Sequence, residues 1–212
     1  FRSIGFIAPL IGAFIVVRRL SLIADALSHV TLGGISFGMF VITVIPALSL
    51  INPMWFGILF AIIGALLIEK LRTSYTNYQE IAIPIIMSAG IALSAIFISL
   101  ADGFNQEIVG LLFGSISAVN LSDLTTIIFI TILVLLFITL FYKELFILSF
   151  DEEYSKVIGI PKWIQFLFIV VVAMVISASM RVVGILLVSA LITLPVAIAM
   201  RLTKGFKQLI IF

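Results

Sequence analysis

The sequence predicts an all-α fold, a polytopic bundle of transmembrane helices, and three observations carry that prediction. Of its 212 residues, 63% are hydrophobic and only 10% are Asp, Glu, Lys or Arg, whereas soluble domains have about 45–50% apolar and about 25% charged residues. The apolar residues form stretches long enough to cross a bilayer as helices. These stretches lack the alternation typical of a membrane β-barrel. We therefore expect one integral membrane domain over 1–212 that contacts the lipid bilayer.

About seven spans are predicted, with the start of an eighth. Backbone groups inside lipid must be hydrogen-bonded within their own segment, so helix is the spanning form that fits these stretches. The chain begins at Phe1 and stops within an apolar run, and we expect it to be truncated at both ends. The predicted spans lie near 3–18, 21–50, 54–69, 81–100, 123–142, 163–180 and 182–200, with an eighth from about 208.

Positively charged residues predict the orientation of the spans, because Lys and Arg are enriched in cytoplasmic connections. Placing four connections in the cytoplasm accounts for 10 of the 12 Lys and Arg residues. Alternating crossings reproduce this assignment and put the N-terminus outside, with only Arg2 and Arg181 outside the pattern. The four connections carry Arg18 and Arg19; Lys70 and Arg72; Lys143, Lys156 and Lys162; and Arg201, Lys204 and Lys207.

The outer segment 101–123 is not a simple loop. Its core, 108–119, is apolar but too short to cross the bilayer. It is either a half-helix or re-entrant piece packed within the bundle, which requires protein or water around it, or an interfacial helix lying flat outside.

Two glycine pairs have the GxxxG spacing that lets helix backbones approach closely in an apolar bundle. Packing inside one subunit is the simplest explanation, since glycine is common in membrane helices. The pairs are Gly34 with Gly38 and Gly110 with Gly114.

The most informative polar residues lie in the second predicted span. Asp25 and His29, the only histidine of the chain, are spaced i,i+4 and share a helix face. With Arg19 at the cytoplasmic interface, a rise of about 1.5 Å per residue puts His29 about 15 Å deep, near the midplane. Ionisable groups at that depth are costly unless they face a cavity, a partner or a ligand. The span is longer than a straight crossing requires, and Gly33-Gly34 would permit a break just beyond His29.

A carboxylate oxygen and a neutral imidazole nitrogen together suit a divalent cation such as zinc or manganese. Ser28 and Thr31 are candidates for further oxygen ligands or for hydrogen bonds to the ligands. Two protein ligands fall short of the usual four for zinc, which suits an ion that must also leave. Waters, backbone carbonyls or a second copy of the chain would complete the site. The alternative is structural, with Asp25 and His29 pairing only with each other.

A second candidate segment is the amphipathic stretch 149–161 between two spans. Ser149 followed by Glu152 fits a capping box, and Gly159 with Pro161 fits a helix end. Such a helix needs lipid or a soluble protein to cover its apolar face, and its acidic residues favour a protein over anionic lipid. An ordinary surface helix is the alternative. The apolar face consists of Phe150, Tyr154, Val157 and Ile158.

Absent motifs exclude several classes of function. The chain has no GxxxxGK[ST] phosphate loop, so it does not bind ATP in that way, and its single histidine excludes the HExxH motif. It has no cysteine, hence no disulfide or thiolate metal site. A net charge of +2 with dispersed basic residues argues against nucleic acid as a partner. We expect a non-enzymatic chain with no permanently bound cofactor.

Four motifs follow one another along nearly the whole chain. They are Arg18-Arg19-Leu-Ser-Leu-Ile-Ala-Asp-Ala-Leu-Ser-His29, Leu111-Leu-Phe-Gly-Ser-Ile116, Phe150-Asp-Glu-Glu-Tyr154 with Gly159, and Val183-Gly-Ile-Leu-Leu-Val-Ser-Ala-Leu191. Together, and in this order, they resemble the membrane permease subunit of bacterial ABC importers for zinc, manganese and related metals. The first motif is the most specific.

The resemblance implies an importer of divalent metal ions in the bacterial plasma membrane that works by alternating access. Its implied partners are a second copy of the permease, two cytoplasmic ATP-binding subunits and an extracytoplasmic metal-binding protein. Asp25 and His29 would line the ion path. The stretch 149–161 would be the coupling helix that contacts the ATPase, through Asp151, Glu152, Tyr154 and Gly159.

The resemblance leaves the transported metal and two competing interpretations open. The sequence of residues Leu22–Val30 is most similar to the corresponding sequence of zinc importers, and manganese and iron are the alternative metals. The first competing interpretation is a secondary carrier or channel for a divalent cation, which needs no ATPase. The second is an export or assembly factor in which Asp25 and His29 are only structural.

Overall fold

The computed structural model describes residues 2–18, 20–48, 51–75, 78–101, 103, 105–114, 121–150, 152–203 and 205–211. All regular secondary structure in these ranges is helical, which confirms the predicted all-α class. The α-helices are α1 (Arg2–Val17), α2 (Ile23–Val44), α3 (Met54–Ser74), α4 (Ala82–Leu100), α5 (Gln106–Phe113), α6 (Leu121–Leu140), α7 (Tyr142–Phe150), α8 (Glu152–Val157), α9 (Lys162–Val183), α10 (Ile185–Leu202) and α11 (Phe206–Ile211).

The number of membrane-crossing helices differs slightly from the prediction of about seven. Five helices within the described ranges are long and apolar enough to cross a bilayer: α2, α3, α4 with the turn before it, α9 and α10. The helices α6 and α7 together would make a sixth span, bent by 76° at the break between them. In α1 the apolar part, Ile7–Val17, is shorter than a full crossing. The positions of the predicted spans nevertheless coincide with these helices.

Polar contacts between helix ends establish which ends lie together. Gln165 at the start of α9 donates a hydrogen bond to Glu69 near the end of α3, and Arg72 pairs with the same carboxylate at 3.2 Å. At the opposite end of α9, Arg181 lies 3.6 Å from Glu107 of α5. We call these two ends of the bundle the Arg72 end and the Arg181 end. The contacts agree with the alternating crossings predicted from the charges.

The helices α1, α2 and α9 form the interior of the bundle. Phe14 of α1 is fully buried and makes edge-on ring contacts with Phe168 of α9 and Phe206 of α11. Gly12 lies so close to the carbonyl of Ile192 in α10 that a side chain there would collide with it. These contacts hold α1 inside the bundle although its apolar part is short.

The short helix α5 packs one face against the bundle at the Arg181 end. The side chain of Asn105 caps it by accepting a hydrogen bond from the amide of Ile108 at 2.9 Å. Ile108 and Leu111 are buried, while Val109 and Phe113 on the other face are exposed. The segment thus contains a short helix with one face packed and one face open, as either predicted alternative would have, and residues 115–119 of the predicted core lie outside the described residues.

Two left-handed glycines join α5 to the turn between α9 and α10. Gly114, which ends α5, has φ of 79°, and Gly184, which separates α9 from α10, has φ of 84°. A Cβ on Gly114 would lie 2.5 Å from the carbonyl carbon of Val183. Only glycine combines this backbone conformation with so close an approach. The second and fourth sequence motifs therefore meet at this contact.

The helix α2 is continuous, so the permitted break at Gly33-Gly34 does not occur. It runs from Ile23 to Val44 without interruption. The two glycines instead let neighbouring helices come close: a Cβ on Gly34 would lie 2.6 Å from the carbonyl oxygen of Phe56 in α3. Close packing within one subunit, the simplest explanation for the Gly34–Gly38 pair, is what the structure shows.

Candidate functional site

The helix that carries the candidate metal residues is packed between α3 and α4. Gly64 of α3 and Gly90 of α4 both contact Val30, one residue after His29. A Cβ on Gly90 would lie 2.9 Å from the amide nitrogen of Val30 and 3.1 Å from its Cα. Distances this short are not tolerated by real side chains, so the two backbones touch here. The position of α2 at His29 is thus fixed by glycine contacts on two sides.

Asp25 and His29 lie on one face of α2, as the i,i+4 spacing predicts. The Nε2 atom of His29 is 3.9 Å from Oδ1 of Asp25, and the two side chains are 26% and 37% exposed, respectively. This separation is too long for a hydrogen bond. The pair is therefore open, with both polar heads accessible.

The geometry of the pair is close to that of two ligands of one cation. Metal–nitrogen and metal–oxygen bonds of about 2.0–2.2 Å place two ligand atoms roughly 3.0–3.5 Å apart at ordinary coordination angles. The observed 3.9 Å between Nε2 of His29 and Oδ1 of Asp25 needs an approach of about half an ångström, which small rotations of the side chains supply. The arrangement can accept a divalent cation without movement of the helix backbone.

The depth of the pair can be measured along α2. His29 is the seventh residue of a helix of 22 residues, so it lies about 9 Å from the start of a helix about 33 Å long. It is about a third of the way along, rather than at the middle. The predicted midplane position is measured from Arg19, which lies outside the described residues.

The two neighbouring hydroxyls considered as further ligands are engaged elsewhere. Ser28 is fully buried and donates to the carbonyl of Ala24 at 2.7 Å. Thr31 donates to the carbonyl of Leu27 at 2.6 Å and lies 3.2 Å from the hydroxyl of Ser177 in α9. Both hydroxyl protons are therefore engaged by backbone carbonyls of α2, and the role of these residues as further ligands stays a prediction. The Thr31 hydroxyl also links α2 to α9 through its contact with Ser177.

No third protein ligand is evident in one copy of the chain. Among the residues that the structure describes, no group of three or more His, Asp or Glu side chains is arranged to hold a metal ion. Two ligands from this chain leave coordination positions for other donors, as the sequence analysis expects.

A cavity of about 600 Å³ lies at the Arg72 end, beside the start of α2. Leu22, which lines it, directly precedes α2 and is three residues before Asp25. Glu80 and Ile81, in the turn directly before α4, also line the cavity. The sequence gives no signal for this cavity, because its walls come from three separate parts of the chain.

One contact at the candidate site was also missed by sequence reasoning. The hydroxyl of Ser94 in α4 lies 3.0 Å from the carbonyl oxygen of His29. The available signal is the small-xxx-small spacing of Gly90 and Ser94, which is typical of closely packed membrane helices. The spacing indicates a packing face but not which helix packs against it.

The candidate coupling segment exposes the apolar face that the sequence predicts. Phe150, Tyr154, Val157 and Ile158 are all at least half exposed, and Val157 is 82% exposed. Asp151 lies outside the described residues, and of Glu152 only its place at the start of α8 is described.

The segment 149–161 contains the end of α7 and the short helix α8, and the predicted capping box is wrong. Ser149 lies inside the last turn of α7, where its hydroxyl donates to the carbonyl of Leu145 at 2.7 Å. A second short helix, α8, begins at Glu152. Its end is as predicted: Gly159 has φ of 80°, and the amide of Ile160 bonds to the carbonyl of Ser155 at 3.0 Å. This is the hydrogen bond of a Schellman motif.

A bundle of apolar helices, several of them long enough to cross a bilayer, defines an integral membrane protein. Residues 2–212 match the ABC 3 transport family, and the chain belongs to that family. The chain is also similar to three relatives and to one solved structure.

The relatives are membrane proteins of metal transport systems. A probable metal transport system membrane protein of Treponema pallidum is 33% identical over 205 residues, covering 96% of this chain and 73% of that protein. The manganese transport system membrane protein MntC of Listeria monocytogenes is 32% identical over 99% of this chain and 72% of its own length. The manganese import system permease protein ScaB of Streptococcus gordonii is 32% identical, with 98% and 72% covered.

The solved structure of PsaBC from Streptococcus pneumoniae in complex with Fab has the same fold. The TM-score is 0.80 at 29% identity, and the alignment covers 99% of this chain and 73% of that chain. With the family match and the relatives, this confirms the resemblance to metal-type ABC permeases predicted from the four motifs.

Proposed function

We propose that this chain is the membrane-spanning permease of an ATP-driven importer of divalent transition-metal ions, and that Asp25 and His29 bind the ion during its passage. The observation that carries the proposal is the open pair itself. Both side chains are partly accessible, and their polar atoms lie 3.9 Å apart, beyond hydrogen-bond distance, so both remain available to a shared ion. Membership of an ABC transport family supports the transport role.

The incomplete ligand set supports a transient site. Two ligands hold an ion less tightly than the closed four-ligand sites of structural zinc. A homodimer would bring a second Asp–His pair into the assembly, and waters would supply the remaining positions. No cofactor is expected to remain bound, because the metal is the cargo.

The ATPase coupling role is proposed for the exposed apolar surface of α7 and α8. An ABC permease requires a separate ATP-hydrolysing subunit, since this chain has no phosphate-binding loop. Tyr154 and Val157 present apolar surface at a turn that Gly159 ends abruptly. A soluble partner that covers this surface would move α6 and α7 when it changes conformation. The remaining partner would be an extracytoplasmic metal-binding protein, and the membrane would be the bacterial plasma membrane.

Two metals are the leading candidates. Manganese is favoured by the names of the Listeria and Streptococcus relatives. Zinc is favoured by the similarity of the sequence Leu22–Val30 to that of zinc importers. Both accept carboxylate and imidazole ligands, so affinity order alone does not choose between them. A secondary carrier without an ATPase remains the competing function, and copurification of an ATP-binding subunit distinguishes it.

The test is the metal content of cells that lack the chain and are complemented with full-length wild type or with the His29→Ala variant. Under metal limitation, manganese or zinc should fall without the chain, return with wild type and stay low with the variant. A His29→Ala variant that reaches the membrane at wild-type level and restores the metal would remove His29 from the mechanism. Unchanged manganese, zinc and iron in all strains would overturn metal import.

A further inference from the structure

Ser94 of α4 makes a hydrogen bond that its role in the helix does not require. Its side chain is 4% exposed, and its hydroxyl lies 2.7 Å from the carbonyl of Gly90 and 3.0 Å from that of His29. The first contact is the usual bond of a helical serine to its own helix. The second crosses to α2 and ends on the backbone of the candidate metal ligand, so the single hydroxyl proton is shared between the two carbonyl oxygens.

The crossing contact exists because three small residues meet there. Gly90 touches the backbone of Val30, and a Cβ on Gly33 would lie 3.3 Å from the Ser94 hydroxyl oxygen. A larger residue at Gly33 or Gly90 would push α4 away and break the bond. The small residues thus bring a hydroxyl within reach of the carbonyl that belongs to His29.

This hydroxyl is not needed to satisfy the His29 carbonyl. The helix α2 is continuous through His29 and Gly33, so its ladder of hydrogen bonds already occupies the carbonyl, and a carbonyl oxygen can accept a second bond. The Ser94 hydroxyl, a second donor that comes from α4, instead restricts how α2 can be oriented. It fixes the rotation of α2 relative to α4 at the residue that carries the imidazole.

We propose that Ser94 is a positioning residue for the metal pair, acting through the backbone of His29. The inference rests on the proposed function of Asp25 and His29 as ion ligands. Binding geometry tolerates errors of only about 0.5 Å and 10–20°. Rotation of α2 about its axis would turn Asp25 and His29 together away from the donors that complete the coordination of the ion, so a constraint on this rotation maintains affinity.

The protein offers a matched control on the same helix. Ser88 is also on α4 and donates to the carbonyl of Ile85 at 3.0 Å, but it is exposed. Ser88→Ala removes a hydrogen bond within α4 alone, whereas Ser94→Ala removes the hydroxyl proton that carbonyls of α4 and α2 share. Any difference between the two variants comes from the buried position and the contact with His29.

The experiment measures Mn²⁺ affinity of the full-length permease, assembled with its partner subunits in lipid nanodiscs, from the loss of the free-ion electron paramagnetic resonance signal. Ser94→Ala should raise Kd by about tenfold, the lower end for residues that orient metal ligands. Ser88→Ala should stay within about twofold of wild type. In uptake assays Ser94→Ala should raise KM, whereas mere loss of folded protein lowers the maximal rate and leaves KM unchanged.

Asp25→Ala separates failure of this inference from failure of the proposed function. If Asp25→Ala abolishes Mn²⁺ binding while Ser94→Ala has the Kd and KM of wild type, Ser94 has no positioning role and the ion site stands. If Asp25→Ala binds Mn²⁺ as wild type does, the pair is not the ion site and the positioning role is overturned with it.

Discussion

The two regions that the sequence singles out are held in place in opposite ways. The candidate metal pair lies on α2, where Gly64 of α3 meets the side chain of Val30 and Gly90 of α4 meets its backbone. The surface of α7 and α8 is open instead: Phe150, Tyr154 and Val157 are each more than half exposed. One region is positioned by contacts inside the chain, and the other presents surface for contacts outside it.

Under the proposed function, this difference separates ion binding from coupling to the ATPase. Ion ligands must keep a fixed geometry, so they belong on a closely packed helix. A surface that transmits motion from a partner must be accessible and joined to the bundle by a bend, such as the 76° angle between α6 and α7. Variants in the first region should change metal binding or folding, and variants in the second should change assembly with the ATPase.

The largest expected effect comes from filling the close contact between Gly90 of α4 and Val30 of α2. Gly90→Val places three carbon atoms where even one Cβ would lie 2.9 Å from the Val30 amide nitrogen. We expect a loss of about 3 kcal/mol or more in the free energy of unfolding, at the upper end for overpacking, and little folded protein in detergent. Thermal unfolding followed by size-exclusion chromatography measures this.

Gly5→Val is the matched control for that variant. Gly5 also lies in a helix, α1, and a Cβ there would have no atom within 4 Å. Equal loss of folded protein in both variants would mean that valine in place of a helical glycine, rather than the contact with α2, is responsible.

A charge on the exposed surface should break assembly and leave the metal pair intact. Val157→Asp puts a carboxylate at the most exposed apolar residue of α8, and burying it against a partner without a counter-charge is unfavourable. We expect copurification of the ATP-binding subunit to fall by about tenfold or more, as for a central interface residue. Thermal stability and Mn²⁺ affinity of the permease itself should be unchanged.

Thr73→Asp adds the same charge at the same end of the bundle but on α3, where the residue is exposed. This control should retain the ATP-binding subunit. If both variants lose it, net charge rather than the surface of α8 determines assembly.

The sequence predicts the bundle well because its signals are local. Composition and the length of apolar stretches depend only on neighbouring residues, and the helices coincide with the predicted spans. The i,i+4 spacing places Asp25 and His29 on one face by helix geometry alone, and the structure agrees. The left-handed turn at Gly159 follows equally from glycine just before a proline-led helix.

The errors arise where one residue type has two uses. A serine hydroxyl can cap a helix or bond to a carbonyl inside it, and Ser149 does the latter. Glycines can break a helix or let another approach, and Gly33-Gly34 do the latter. The choice is made by tertiary contacts, as with the bond between Ser94 and His29, which are 65 residues apart. Sequence periodicity does not contain that information.

The smallest expected effect distinguishes the two faces of α2. Thr31→Val removes the hydroxyl that lies 3.2 Å from Ser177 in α9, at a cost of about 0.6 kcal/mol for a hydrogen bond between membrane helices. This hydroxyl does not face Asp25 and His29, so we expect a slightly lower unfolding temperature and an unchanged KM for Mn²⁺ uptake. Ser94→Ala removes a comparable interhelical contact, which ends on His29, two residues before Thr31 on α2. This variant, in contrast, should raise KM. A rise in KM for both variants would show that affinity follows the general tightness of α2 packing, and the special role of the Ser94 contact would be lost.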